Sequence, residues 1–124
     1  MCGVWIALED ISDDQGPLFY YPGSQNLPEL DSSTLGFEIT TSNYSSIVDY
    51  WNSTIQEEKF CKTTGILEKG EGIIWDGNLL HGGSVHMNRS KTRKSMVTHF
   101  YFEGSKPWRP LNSSENNREY FEPN

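Results

Sequence analysis

Three histidines are the residues of this chain best suited to chemistry, because imidazole is the commonest metal ligand and a usual acid or base near neutral pH. His81 follows a short β-prone segment and precedes Gly82 and Gly83, which would let a ligand approach the backbone closely. Taken alone, however, a lone histidine beside glycines is more often structural than functional. We expect His86 to be exposed in a polar loop and His99 to be a buried, hydrogen-bonded core residue.

Arg93 is the second candidate, at the start of the β-prone segment 95–102. Within one strand, Arg93, Val97 and His99 share the same parity, so their side chains are expected on one side of a sheet. A guanidinium that enters a β-sandwich needs a carboxylate or phosphate partner, which favours an anion-binding role. The alternative is a solvated arginine in the basic turn 89–94, and the spacing alone does not separate the two.

The segments that position these residues are mostly β-prone and short. Four of them are separated by polar or glycine-containing turns, at residues 2–9, 18–21, 73–75 and 95–102. The first two are spaced like the strands of a hairpin. One helix is predicted near residues 43–58 from apolar residues at three- and four-residue spacing, namely Tyr44, Ile47, Val48, Trp51 and Ile55. This pattern indicates an all-β sandwich, barrel or jelly roll with one inserted helix.

Composition limits the classes of function. The chain has 124 residues, enough for one domain, and carries 10 Lys plus Arg against 17 Asp plus Glu, a net charge of -7. This balance argues against binding nucleic acid backbones or anionic membranes. No secretory or membrane-spanning segment is visible, so we expect a cytoplasmic protein with Cys2 and Cys61 as reduced, buried thiols. We interpret residues 113–124 as a surface tail.

Four segments together resemble the phytanoyl-CoA dioxygenase family. They are MCGVWIALEDI at 1–11, GPLFYYPGS at 16–24, GNLLHGGS at 77–84 and RKSMVTHF at 93–100. The resemblance covers most of residues 1–103 and implies a double-stranded β-helix, or jelly roll, that uses Fe(II) and 2-oxoglutarate. It implies that His81 is the distal iron ligand of a two-histidine, one-carboxylate set. It also implies that Arg93 binds the far carboxylate of 2-oxoglutarate and that Trp5 lines the cosubstrate pocket.

The chain departs from the family pattern at the other two iron ligands, because it contains no HxD or HxE motif. Gln25 and Asp76 also replace histidines that are frequent in the family. We therefore expect the C-terminal core of such an oxygenase, a jelly roll incomplete at its N-terminus that is inactive as this chain and whose substrate class is a small molecule. The alternative is a non-enzymatic β-module that binds a small carboxylate or a protein partner. We also expect a homo-oligomer that forms through exposed strand edges.

Overall fold

The computed structural model describes residues 1–30, 32–37 and 39–104. The predicted tail at 113–124 lies outside these residues. The chain divides into two compact units. The first consists of Met1–Leu27 and Phe60–Tyr101, and the second of Pro28–Lys59 and Phe102–Asn124.

The first unit contains two antiparallel sheets of three strands each. In chain order the strands are β1 (Cys2–Ala7), β2 (Leu18–Tyr20), β3 (Thr63–Thr64), β4 (Gly72–Asp76), β5 (His81–Gly83) and β6 (Ser95–Phe100). The strand order is β4-β1-β6 in one sheet and β3-β2-β5 in the other. The central strands β1 and β2 are therefore each flanked by two strands that come later in the chain.

One face of the sheet β4-β1-β6 forms the core of this unit. Gly3, Trp5 and Ala7 alternate with more exposed residues along β1, as expected for a strand with one buried face. Trp5 and Ala7 form a buried cluster with Ile11 and Trp75, and four partly buried residues pack against it: Leu18, Leu67, Ile73 and Leu79. Leu18 comes from β2, so the two sheets face each other across this cluster.

The predicted hairpin between residues 2–9 and 18–21 is wrong. Both segments form strands at the predicted places, but β1 pairs with β4 and β6, whereas β2 pairs with β3 and β5. The connecting loop carries the chain from one sheet to the other, and Gln15 within it is only 6% exposed. Its amide nitrogen donates a hydrogen bond to the Thr92 carbonyl oxygen at 2.6 Å. This long-range contact fixes the loop, and sequence spacing does not reveal it.

The second unit contains the helices α1 (Ser32–Leu35) and α2 (Tyr44–Glu57). The predicted helix at 43–58 is thereby confirmed to within one residue at each end. A capping box precedes it, in which the Asn43 side chain accepts a hydrogen bond from the Thr40 backbone N–H at 2.8 Å. Ile47 on the apolar face of α2 is 1% exposed, and Tyr44 and Trp51 meet edge to face with ring centroids 6.4 Å apart.

The mostly β architecture with one substantial helix agrees with the prediction, although the six strands of the described residues fall short of a complete jelly roll of about eight. Within these residues no helix is both long and apolar enough to cross a bilayer. The prediction of two buried thiols is wrong for Cys61, which is exposed, while Cys2 is half-buried and neither forms a disulfide. Cys61 lies two residues before β3.

Candidate functional site

His81 is the first residue of β5 and pairs with Tyr20 of β2. Its side chain is exposed, and its ring centroid lies 5.0 Å from that of the buried Trp75. Nδ1 lies 2.8 Å from the carbonyl oxygen of Leu79. Because a carbonyl oxygen only accepts hydrogen bonds, Nδ1 carries the proton, and the lone pair of the neutral ring is then on Nε2. Such a second hydrogen bond is typical of metal-binding histidines.

Arg93 lies in the basic turn, two residues before β6, and is exposed. One guanidinium nitrogen, Nη1, donates a hydrogen bond to the Gly16 carbonyl oxygen. A Cβ atom built at Gly83 would lie 3.4 Å from the same nitrogen, so the guanidinium lies beside β5. Gly16 is itself pressed against the end of β5, since a Cβ atom there would lie 2.8 Å from the Ser84 carbonyl oxygen. Glycine is needed at this position both for space and for its φ of 68°.

The structure places His81 on β5 and the Arg93 guanidinium beside the same strand, at Gly83. His81 and Gly83 are two residues apart on β5, so they project from the same face, with their Cα atoms about 7 Å apart. A histidine nitrogen with a free lone pair and a guanidinium at this spacing suit a small molecule with an anionic end and a second polar group. The absence of a side chain at position 83 leaves room for the guanidinium to lie beside the backbone of β5.

The basic turn before β6 is fixed to the loop after β1 by carboxylate hydrogen bonds. Glu9 accepts from the Thr92 hydroxyl at 2.7 Å and from the Lys94 backbone N–H at 2.8 Å. These hydrogen bonds hold the pKa of the Glu9 carboxyl below its ordinary value of 4.5, and the one from Thr92 has the largest effect. Because Thr92 and Lys94 flank Arg93, Glu9 positions the arginine without contacting its guanidinium.

Asp14 fixes the other end of the same turn. Its carboxylate accepts hydrogen bonds from Ser12 at 2.6 Å, Asn88 at 2.9 Å and Lys91 at 3.1 Å. The Ser12 and Asn88 hydrogen bonds, followed by that of Lys91, hold the pKa of the Asp14 carboxyl far below its ordinary value. The loop after β1 and the turn before β6 are therefore one hydrogen-bonded structure.

Trp5 is 6% exposed and lies in the middle of β1, opposite Ile73 and Val97. It belongs to the same buried cluster as Trp75, whose ring contacts His81. Trp5 is thus placed in the core near the predicted site.

The remaining two histidines, His86 and His99, lie outside β5. His86 is exposed, as predicted, with Nε2 lying 2.9 Å from the Asn88 carbonyl oxygen. The prediction of a buried His99 is wrong, because its side chain is exposed at the end of the edge strand β6. The shared side of Val97 and His99 is confirmed, since both lie opposite buried residues of β1. His99 contacts the Trp75 ring edge to face at 6.3 Å.

The comparison with protein families decides the lineage. The family described as phytanoyl-CoA dioxygenase (PhyH) matches residues 1–96 of the 124-residue chain. The chain belongs to the phytanoyl-CoA dioxygenase family. Neither the curated proteins nor the solved structures yield a match to it.

Phytanoyl-CoA dioxygenases are generally dependent on Fe(II) and 2-oxoglutarate, so the donor set of this family member can be tested against iron. Among residues 1–30, 32–37 and 39–104, no three His, Cys, Asp or Glu side chains are grouped so that they could hold a metal ion. His81 has the tautomer that a ligand needs, but the described residues supply no second and third donor beside it. The described residues therefore do not fit a complete iron centre.

Two contributors to this family member's site were not named as site residues from the sequence. The Gly16 carbonyl oxygen is a backbone acceptor that anchors Arg93, and residue type carries no signal for it. Glu9 positions the turn around Arg93 from the far end of β1. A signal was present for Gly83, because two consecutive glycines after His81 already indicated a close backbone approach.

Proposed function

We propose that this chain is the C-terminal core of an Fe(II)- and 2-oxoglutarate-dependent oxygenase, and that alone it binds the far carboxylate of 2-oxoglutarate without turning it over. In this proposal Arg93 binds the carboxylate, His81 is one iron ligand of the intact site, and Trp5 lines the cosubstrate pocket. The observation that carries the proposal is the Arg93 guanidinium, held by the Gly16 carbonyl oxygen beside the backbone of Gly83.

The chemistry of the guanidinium supports a carboxylate in particular. Only one nitrogen of the Arg93 fork is used by Gly16, so other N–H donors remain for two parallel hydrogen bonds to a carboxylate. The position is exposed, so the bound anion stays partly hydrated and a weak affinity is expected. Family membership supports 2-oxoglutarate as the anion.

Calorimetric titration of 2-oxoglutarate tests the carboxylate role. We expect saturable binding that Arg93→Ala weakens about tenfold or more, the loss typical of a charge-assisted hydrogen bond. Arg93→Lys should recover only part of it, because an ammonium lacks the planar fork. Arg89→Ala, in the same basic turn, is the matched control and should bind like the wild type. Equal affinity in the wild type and Arg93→Ala would overturn the assignment.

The claim that the chain does not turn over is tested separately. Incubation with Fe(II), 2-oxoglutarate, ascorbate and oxygen should give no succinate above a protein-free control, because the described residues supply one iron ligand of three. Without a metal centre, only the carboxylate is recognised, so glutarate should bind as well as 2-oxoglutarate. Stoichiometric iron binding with succinate formation would contradict this part of the proposal.

The second candidate is a non-enzymatic module that binds a small carboxylate, and the incomplete donor set favours it over a full enzyme. The two candidates differ in their response to divalent metal. If His81 serves as a ligand, Mn(II) should tighten 2-oxoglutarate binding relative to glutarate, and His81→Ala should abolish that difference. If the module is purely a carboxylate binder, neither the metal nor His81→Ala changes the affinities.

A further inference from the structure

The outer side of β6 is an unprotected strand edge. β6 lies at one end of the sheet β4-β1-β6, and within the part of the chain that the structure describes no strand pairs with its outer side. Natural edge strands are usually shortened, bulged or interrupted by charge or proline. β6 is six residues long, SMVTHF, with no proline, lysine, arginine or acidic residue, and its register with β1 runs without interruption.

The register of β1 shows which backbone groups of β6 point outward. Leu8, which follows β1, donates its N–H to the Lys94 carbonyl oxygen at 2.9 Å, so even-numbered residues of β1 face β6. In the antiparallel register, even-numbered residues of β1 lie opposite even-numbered residues of β6. The odd-numbered residues of β6 therefore direct their N–H and C=O groups to the open edge, because these groups alternate along a strand. They are Ser95, Val97 and His99.

We propose that two copies of this chain pair antiparallel through β6, about a two-fold axis normal to the sheet at Thr98. The strand order becomes β4-β1-β6 followed by β6-β1-β4 of the partner, which gives one six-stranded sheet. An axis normal to the sheet keeps each face on the same side, so odd residues oppose odd residues. Val97 and His99 of the partner subunit then exchange backbone hydrogen bonds, as do His99 and the partner's Val97.

The side chains of β6 are complementary to themselves in this register. Met96 lies opposite Phe100 of the partner subunit, and the pair occurs twice by symmetry, which gives sulfur–aromatic contacts. Met96 is 48% exposed and Phe100 51% exposed in the single chain, so both have apolar area to bury. Thr98 opposes the partner's Thr98, and threonine pairs are favourable across strands. A register centred on Val97 would instead place Lys94 opposite Phe100, which is less favourable.

Sedimentation equilibrium of the full chain tests the pairing. The wild type should show a dimer of twice the 14.2 kDa chain mass. Thr98→Lys places two like charges opposite each other at the axis and should raise the dissociation constant by up to about fivefold. Thr98 is exposed, so the single chain tolerates this change. Ile74→Lys is the matched control, because Ile74 is 73% exposed on the opposite edge strand β4 and should leave the dimer intact.

A cysteine cross-link tests the register. In a Cys2→Ser, Cys61→Ser background, Thr98→Cys should form a disulfide-linked dimer under mild oxidation. The residues at the axis form a non-hydrogen-bonded pair with Cα atoms about 4.5 Å apart, within disulfide range. Ile74→Cys in the same background should stay monomeric on a non-reducing gel. A monodisperse wild-type monomer, an equal loss of dimer in Ile74→Lys, or equal cross-linking of both cysteine variants would overturn the proposal.

Discussion

Replacing Gly3 by alanine tests how the central strand accommodates Trp75. Gly3 lies opposite Trp75 in the β1–β4 register, and the indole of Trp75 lies close to Gly3. A Cβ atom at position 3 would lie 2.5 Å from Cζ2 and 2.8 Å from Nε1 of that ring. Non-bonded carbon atoms settle at about 3.5–4.0 Å, so the indole would have to move by about 1 Å or more.

This movement is costly because Trp75 is 6% exposed and packs in the main cluster. Overpacking of this kind costs about 1–3 kcal/mol, which lowers Tm by about 3–15 °C in a chain of this length. The assay is thermal unfolding followed by far-UV circular dichroism. Gly83→Ala is the matched control, since its Cβ would meet only Arg93 Nη1 at 3.4 Å. Trp75→Phe should make Gly3→Ala less destabilising, because the smaller ring leaves room for the methyl group. An unchanged Tm in Gly3→Ala would refute the packing argument.

Two further predictions concern the loop after β1. Asp14 and Glu9 have lower pKa values in the folded chain than their ordinary values of 3.8 and 4.5, so their stabilisation is present above these values and is lost as pH falls below them. Denaturant unfolding between pH 3 and 7 should show this loss of stability, and in Asp14→Asn the free energy of unfolding should change less steeply with pH. The same pH dependence in Asp14→Asn and the wild type would contradict the role of Asp14. Gln15→Leu removes the two hydrogen bonds that the Gln15 side chain makes, to the Thr92 carbonyl oxygen and from the Ser12 N–H, and should cost about 1–3 kcal/mol, measured by urea unfolding. An unchanged free energy of unfolding in Gln15→Leu would show that the Gln15 side chain does not fix the loop.

The local elements were predictable because their signals lie within a few residues. The helix at 44–57 follows from the spacing of Ile47 and Trp51, and β1 and β6 follow from continuous β-prone runs. Strand pairing was not predictable in the same way. The hairpin interpretation assumed that neighbouring strands pair, but both sides of β1 are taken by strands about 70 and 90 residues later in the chain.

The residues of the site also divide into those with a signal in the sequence and those without one. His81 and Arg93 were found from residue type and family resemblance, and the structure brings both to one face of β5. The Gly16 carbonyl oxygen and the Glu9 carboxylate were not found, since a backbone acceptor has no residue signature and Glu9 is 84 residues from Arg93. His99 was wrongly expected in the core because strand parity gives the side of a sheet but not whether another layer covers that position.

The most direct test of the account is a backbone-amide NMR titration of the chain with 2-oxoglutarate. The proposed site predicts saturable shifts at Gly16 and Gly83, which border the Arg93 guanidinium, and no shift at Gly70, which lies in the turn before β4. The same shifts should disappear in Arg93→Ala and persist in Arg89→Ala. Shifts confined to other residues, or shifts at Gly16 and Gly83 that survive Arg93→Ala, would contradict the assignment of Arg93 as the carboxylate-binding residue.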